Sequence, residues 1–231
     1  ERQLAYTFRG LDRKMFDCEL IVNRIDNRGN GETYEDLIEE FNYSTTELVK
    51  IGVAESEKTT KNTLDWRILD LLPESTKNTT LRLIEKFNEE EPDLVHCWQD
   101  ETIISASIAS IICGVPRIIG SARSLRPDEK TELHIRKRPH LGQCLEFLLR
   151  DERIILSTNS EAGKLSYAEW IGIPESGIKV IHNGVDFDLM ENGKDRKAFE
   201  EKFSKLGIKE GHKIVGGVFR LEPGKRVGLW L

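Results

Sequence analysis

Apolar positions in this chain fall into short continuous runs separated by longer stretches that repeat at helical spacing. The short runs, rich in Ile, Val and Leu, lie at 18–22, 48–53, 93–97, 115–120, 153–157, 178–182 and 213–219. Each has the length and composition of a buried strand. Between them, 62–72, 78–87, 101–113, 139–149, 160–170 and 199–206 carry helix-spaced apolar positions. Leu4, Phe8 and Leu11 open the chain in the same rhythm, and 35–41 is a further short amphipathic segment. Segment 101–113 is apolar nearly all round, so it is predicted to pack against a sheet and to stop at Gly114. Strands that are apolar throughout and alternate with helices pair in parallel with both sheet faces covered. The predicted class is α/β, with a parallel sheet flanked by helices.

The polar stretch from 186 to 213 is the best boundary candidate. It divides the chain into a first domain, 1–188, and a remainder, 189–231, that holds a linker and one strand, turn and helix start. The chain begins inside a helical pattern and ends on the apolar residues Leu229, Trp230 and Leu231 without a stop signal. A fragment of a longer polypeptide is therefore expected.

Composition narrows the functional classes. A net charge of −6 on 231 residues disfavours broad nucleic-acid binding. No apolar run reaches the roughly 18 residues of a membrane-spanning helix. The four cysteines, Cys18, Cys97, Cys113 and Cys144, form no CxxC or Cys/His pair, which argues against a zinc site and for free thiols in a reducing cytosol. Dinucleotide, P-loop, nucleophile-elbow and HExxH motifs are all missing from the sequence.

Ligands of open parallel sheets bind at the carboxyl ends of the strands, and four such ends are legible. The first is 219–226, where Pro223 and Gly224 force a turn between Arg220 and Lys225. Two cations at a helix start form a cradle for a diphosphate, and Gly216 and Gly217 permit close approach of a ligand. The local pattern alone fits an exposed turn with ordinary basic residues as well. The second is 96–101, where a histidine such as His96 can orient or hydrogen-bond a sugar hydroxyl and Trp98 offers an apolar face for stacking. His96 is equally a satisfied core histidine, and Asp100 reads most simply as the N-cap of the next helix. The third runs from Arg123 and Arg126 to Arg138. Its six basic residues (123, 126, 130, 136, 137, 138) against three acidic ones (128, 129, 132) suit an anionic acceptor or lipid headgroups, or a solvated face. The fourth is Asn183-Gly184, a common turn former that tolerates positive φ.

Five pieces in order resemble a known family: 93–96 (DLVH), 114–120 (GVPRIIG), 156–160 (LSTNS), 180–186 (VIHNGVD) and 218–225 (VFRLEPGK). Together they resemble glycosyltransferases of the two-domain GT-B fold, most like the retaining family 4, across about residues 90 to 231. The resemblance implies a Rossmann-like acceptor-binding domain over 1–188, its first strand lying before residue 1, and the start of a second Rossmann-like, donor-binding domain after 189. It implies transfer of a sugar, with retention, from a nucleotide-sugar donor to a polysaccharide, glycolipid or similar acceptor. Arg220 and Lys225, with Gly217, would bind the donor diphosphate and stabilise it as the glycosidic bond breaks. His96 would be catalytic, Trp98, Arg123 and Arg126 would face the acceptor, and Asn183 and Gly184 would lie at the hinge. No metal or other cofactor is required and no nucleic-acid partner is expected. The location implied is cytoplasmic, with peripheral contact at the inner face of the membrane through 123–138. The family's carboxylate pair falls beyond Leu231, and Trp98 stands where many members carry a second histidine. The alternative is a non-catalytic interaction subunit of a polysaccharide-assembly complex.

Overall fold

A computed structural model describes residues 2–22, 44–51, 66–127, 139–185, 187, 196–208, 211–213, 215, 217–218 and 226–229. The chain divides into two compact units, Glu1–Gly184 and Val185–Leu231.

The first unit opens with helix α1 (Arg2–Gly10) and strand β1 (Glu19–Val22). Strand β2 (Ser44–Glu47) pairs parallel to β1, with Leu20 opposite Thr45 and Ile21 opposite Thr46. The apolar pattern places this strand at 48–53 instead. The structure corrects that: Leu48–Lys50 is a 3-10 turn that carries Leu48 into the core, and the pairing belongs to the polar, β-branched residues before it. Thr46 donates a hydrogen bond to Glu19 across the pair, a polar contact that an apolar pattern does not register.

Segment 62–72 is expected as a helix, but its described part, Trp66–Leu71, winds as a 3-10 helix. Three residues per turn put Leu69 and Leu72 on one side, both buried, while Leu71 is exposed. Helix α2 (Glu74–Glu90) starts directly after Pro73, four residues before the apolar pattern begins at 78. The Pro73 carbonyl accepts from the Lys77 N–H at 2.9 Å, so the proline serves as entry to the helix. Lys86 of α2 holds Glu19 of β1 at 3.2 Å and Glu90 at 2.9 Å, which ties the two-stranded sheet to the helix.

A four-stranded parallel sheet follows: β3 (Leu94–Trp98), β4 (Arg117–Ala122), β5 (Ile154–Thr158) and β6 (Ile178–Val180), side by side in that order. They are joined by α3 (Asp100–Cys113), α4 (Pro139–Leu148) and α5 (Glu161–Ile171). Right-handed crossovers between strands used in chain order set these helices on one face. That face carries Cys97, Ile118, Gly120, Ala122, Leu156 and Ile178, nearly all buried. A Cβ on Gly120 would stand 2.9 Å from Ile103 Cγ2, so α3 lies as close to β4 as glycine permits. Helix α3 is buried from Ile103 to Ile112, because β3 and β4, α2 and α4 all pack on it. Each of its enclosed isoleucines contributes about 1.5–3 kcal/mol through removal from water.

Helix ends explain where strands begin. Gly114 takes φ 78° at the end of α3, as expected, and the Val115 N–H donates to the Ser110 carbonyl at 2.9 Å. Val115 is thus spent on the cap, Pro116 has no N–H, and β4 starts at Arg117, two residues later than its apolar run. Ser160 caps α5 by accepting from the Gly163 N–H at 3.1 Å. The first unit is an α/β, Rossmann-like fold of parallel sheets flanked by helices.

The second unit holds helix α6 (Arg196–Lys205), closed by Gly207 at φ 74°, and a 3-10 turn, Val227–Leu229. A strand over 213–219 is not formed at its described residues: Lys213, Val215, Gly217 and Val218 are exposed and unpaired in any ladder. A parallel strand exists only beside another, and no strand is present among the described residues of this unit.

Candidate functional site

The carboxyl edge of the four-stranded sheet collects the polar residues of the first unit. Opposite the helix-covered face, Leu94, His96 and Trp98 point the same way from β3. The register sets Trp98 beside Ser121, Ser121 beside Ser157, and Ser157 beside Lys179, one polar row across four strands. His96 Nε2 lies 2.8 Å from Ser121 Oγ, and Ser121 Oγ lies 2.8 Å from Ser157 Oγ. Ser157 also donates to the Gly120 carbonyl at 3.2 Å. Burial, with a smaller contribution from the Arg123 charge, lowers the His96 pKa from 6.5 to about 4. At neutral pH the ring is uncharged and can accept or donate one hydrogen bond at each nitrogen.

Arg123 joins three of the strand ends. Its guanidinium carbon sits 4.5 Å from the centre of the Trp98 ring, a cation–π contact worth about 0.5–2 kcal/mol according to exposure. It also donates to Asn183 Oδ1, and its carbonyl accepts from Asn159 Nδ2 at 3.5 Å. Trp98 stands beside His96 with ring centres 5.2 Å apart, and its indole Nε1 is buried without a hydrogen-bond partner. Arg126 takes another direction. Its backbone N–H donates to Ser166 Oγ at 3.1 Å and its guanidinium lies 3.8 Å from Glu169, both on α5.

Asp100 is not the N-cap of α3. Gln99 occupies that position with φ 74° and ψ 153°, a region otherwise reserved for glycine. Its N–H donates to the Ser121 carbonyl at 3.1 Å and its carbonyl accepts from Ile103 N–H at 2.8 Å, which holds the strained turn. Asp100, now inside the helix, accepts instead from the fully buried Tyr167 hydroxyl. Asn183 and Gly184 do not take positive φ. The Gln3 carboxamide reaches from α1, donating to the Gly184 carbonyl and accepting from its N–H, both at 2.8 Å. This pairing ties the segment after β6 to α1.

The structure thus brings His96, Trp98, Arg123 and Asn183 together and turns Arg126 toward Ser166 and Glu169 of α5. Gly217 is an exposed coil residue of the second unit. Arg220, Lys225 and the basic residues 130–138 lie outside the described residues. Sequence reasoning missed Ser121, Ser157, Asn159 and Gln3. The two serines had a signal: each follows an apolar strand run, in IIGSA and IILST, at the end where ligands bind. Gln3 had none, since its partner is 181 residues away.

Thiol chemistry finds no support at this edge. The four cysteines are free, and burial pushes the Cys97 thiol up to about 12, far from a reactive thiolate. Among the described residues no cluster of three or more His, Cys, Asp or Glu side chains is placed to hold a metal ion. No helix among them is long and apolar enough to cross a membrane. What the edge offers is a neutral imidazole, an indole and a guanidinium, with the buried Ser121 and Ser157 hydroxyls bonded behind the imidazole. These groups suit a polyhydroxylated ligand better than a hydrophobic one.

No protein-family model matches the chain. The chain is similar to the Vi polysaccharide biosynthesis protein VipC/TviE of Salmonella typhi, 25% identical over 166 residues that cover 71% of this chain and 28% of that protein. It is similar in structure to Anabaena Alr3699/HepE in complex with UDP and glucose: TM-score 0.53, 15% identity, over 82% of this chain and 42% of that one. The complex of the same Anabaena protein with UDP-glucose gives TM-score 0.50 and 15% identity over 75% of this chain and 39% of that one. The chain spans under a third of the length of the Salmonella protein and under half of the Anabaena one. The likeness to the Anabaena structures is a likeness of fold.

Proposed function

We propose that this chain is part of a GT-B glycosyltransferase of the retaining family 4 type, which moves a hexosyl group from a nucleotide sugar to a polysaccharide, glycolipid or similar acceptor. The observation that carries the reading is the meeting of His96, Trp98, Arg123 and Asn183 at the carboxyl edge of a Rossmann-like sheet. It is supported by similarity to a protein named for polysaccharide biosynthesis and by a fold shared with a protein solved with UDP and glucose.

In this reading the first unit binds the acceptor. Trp98 and Arg123 face the acceptor sugar, and His96, neutral at physiological pH, takes a hydrogen bond from the hydroxyl that receives the new linkage. Arg126, turned to Ser166 and Glu169 of α5, stands outside this cluster. Arg220, Lys225 and Gly217 hold the donor diphosphate, whose charge grows as the glycosidic bond breaks; preorganised cations stabilise it without a metal. Asn183 and Gly184 form the hinge through which closure joins the two substrates. The enzyme works in the cytoplasm, with the basic stretch 123–138 resting on the inner membrane face.

The test is turnover by the full-length protein with a panel of nucleotide sugars and lipid-linked or free oligosaccharide acceptors. Arg220→Ala and Lys225→Ala are each expected to lower kcat/KM about 100-fold or more, the usual cost of removing one preorganised charge donor. Turnover unaffected by both would overturn their assignment. Absence of nucleotide-sugar binding by calorimetry, together with a stable protein partner, would replace catalysis with a scaffolding role.

A further inference from the structure

We infer that Ser121 and Ser157 are positioning residues that hold His96 in its Nε2–H tautomer and so present Nδ1 as the acceptor for a sugar hydroxyl. The second half of this rests on the reading of the sheet edge as an acceptor site; the first half does not.

Donor counting sets the direction of the chain. The Gly120 carbonyl has no hydrogen to give, so Ser157 donates to it at 3.2 Å. With its one hydrogen used, Ser157 Oγ accepts from Ser121 at 2.8 Å. Ser121 has then also used its hydrogen, and its 2.8 Å contact with His96 is filled by Nε2–H. Ser121 and Ser157 are 4% and 2% exposed, so water cannot readily take over either position. The carbonyl belongs to β4 and the serines to β4 and β5, which makes the relay as rigid as the ladder that aligns Ser121 with Ser157. Nδ1 is left bare: no described residue donates to it. A second ring proton is opposed by the Arg123 guanidinium, which lies over the indole beside His96. The consequence is an imidazole whose basic nitrogen is chosen by two buried hydroxyls on neighbouring strands.

The tautomer is directly observable. Histidine-selective 15N labelling of the 231-residue chain and long-range 1H–15N correlation at pH 7 distinguish a protonated from a bare ring nitrogen, with His96→Gln assigning the resonance among five histidines. Wild-type protein is expected to show Nε2–H and bare Nδ1 as one species. Ser121→Ala and Ser157→Ala are expected to give a mixture of tautomers, and Ser157→Thr, which keeps the hydroxyl, is expected to restore the single form. A wild-type ring protonated at Nδ1, or alanine variants with the wild-type signature, overturns the proposal. If an alanine variant does not fold, the wild-type spectrum and Ser157→Thr still decide. Because this measurement needs neither donor nor acceptor, its failure is distinct from a failure of the transferase reading. In the full-length protein, Ser157→Ala is expected to lower kcat roughly tenfold or more with donor KM unchanged, recovered in Ser157→Thr. A shifted tautomer with unchanged kcat overturns the role of Nδ1 in transfer.

Discussion

His96 gathers its properties from Ser121, Trp98 and Arg123 around it. The folded protein keeps the ring neutral down to about pH 4, whereas the unfolded chain protonates it near 6.5. Between those values the unfolded state carries a proton that the folded state lacks. The associated stability is therefore complete above pH 6.5 and is lost as pH falls toward 4, by about 3 kcal/mol. Urea denaturation of wild type and His96→Gln across this range is expected to show the decline only in wild type. Arg123 contributes to the shift through its charge, after burial. Arg123→Ala is expected to raise the His96 pKa toward its ordinary value, read by NMR titration, and to cost about 1 kcal/mol from the lost contact with Trp98. The Trp98 indole supplies a platform for Arg123 and a neighbour for His96.

At the level of elements, the sheet edge is built by how helices end and begin. The Gly120 contact with Ile103 brings α3 down onto β4 and so fixes the end of the strand that carries Ser121. Gly120→Ala is expected to destabilise the fold by about 1–3 kcal/mol through overpacking against a β-branched side chain that is 1% exposed, measured by chemical denaturation. Ser160→Ala is expected to cost about 1 kcal/mol by uncapping α5, with the sheet edge otherwise intact. Elements whose burial follows their apolar pattern were legible before the structure: α3 with its stop at Gly114, and β3, β5 and α5 within a residue or two. Others were decided by terms no periodicity carries. Strand β2 formed on threonines because pairing with β1 outweighed its weak apolar signal. β4 began late because Val115 was committed to the helix cap. At the candidate site, His96, Trp98 and Arg123 were legible from their position after strand runs. The Ser121–Ser157 relay was not, because it depends on which residues the ladder sets side by side.

Across the whole molecule, the pairing of Gln3 with Gly184 closes the first unit on itself. Gln3→Glu leaves an acceptor facing the Gly184 carbonyl and is expected to loosen α1 more than Gln3→Ala does, seen as faster amide exchange over 2–10 in both variants. The pairing joins residues 181 apart in sequence, so this clasp on α1 cannot close before residue 184 has been made. During synthesis this contact has to wait until residue 184 has cleared the ribosome. Its closure then becomes a late event in maturation rather than a seed for it. A nascent chain released too early would expose the side of α1 that holds Ala5, buried in the finished unit.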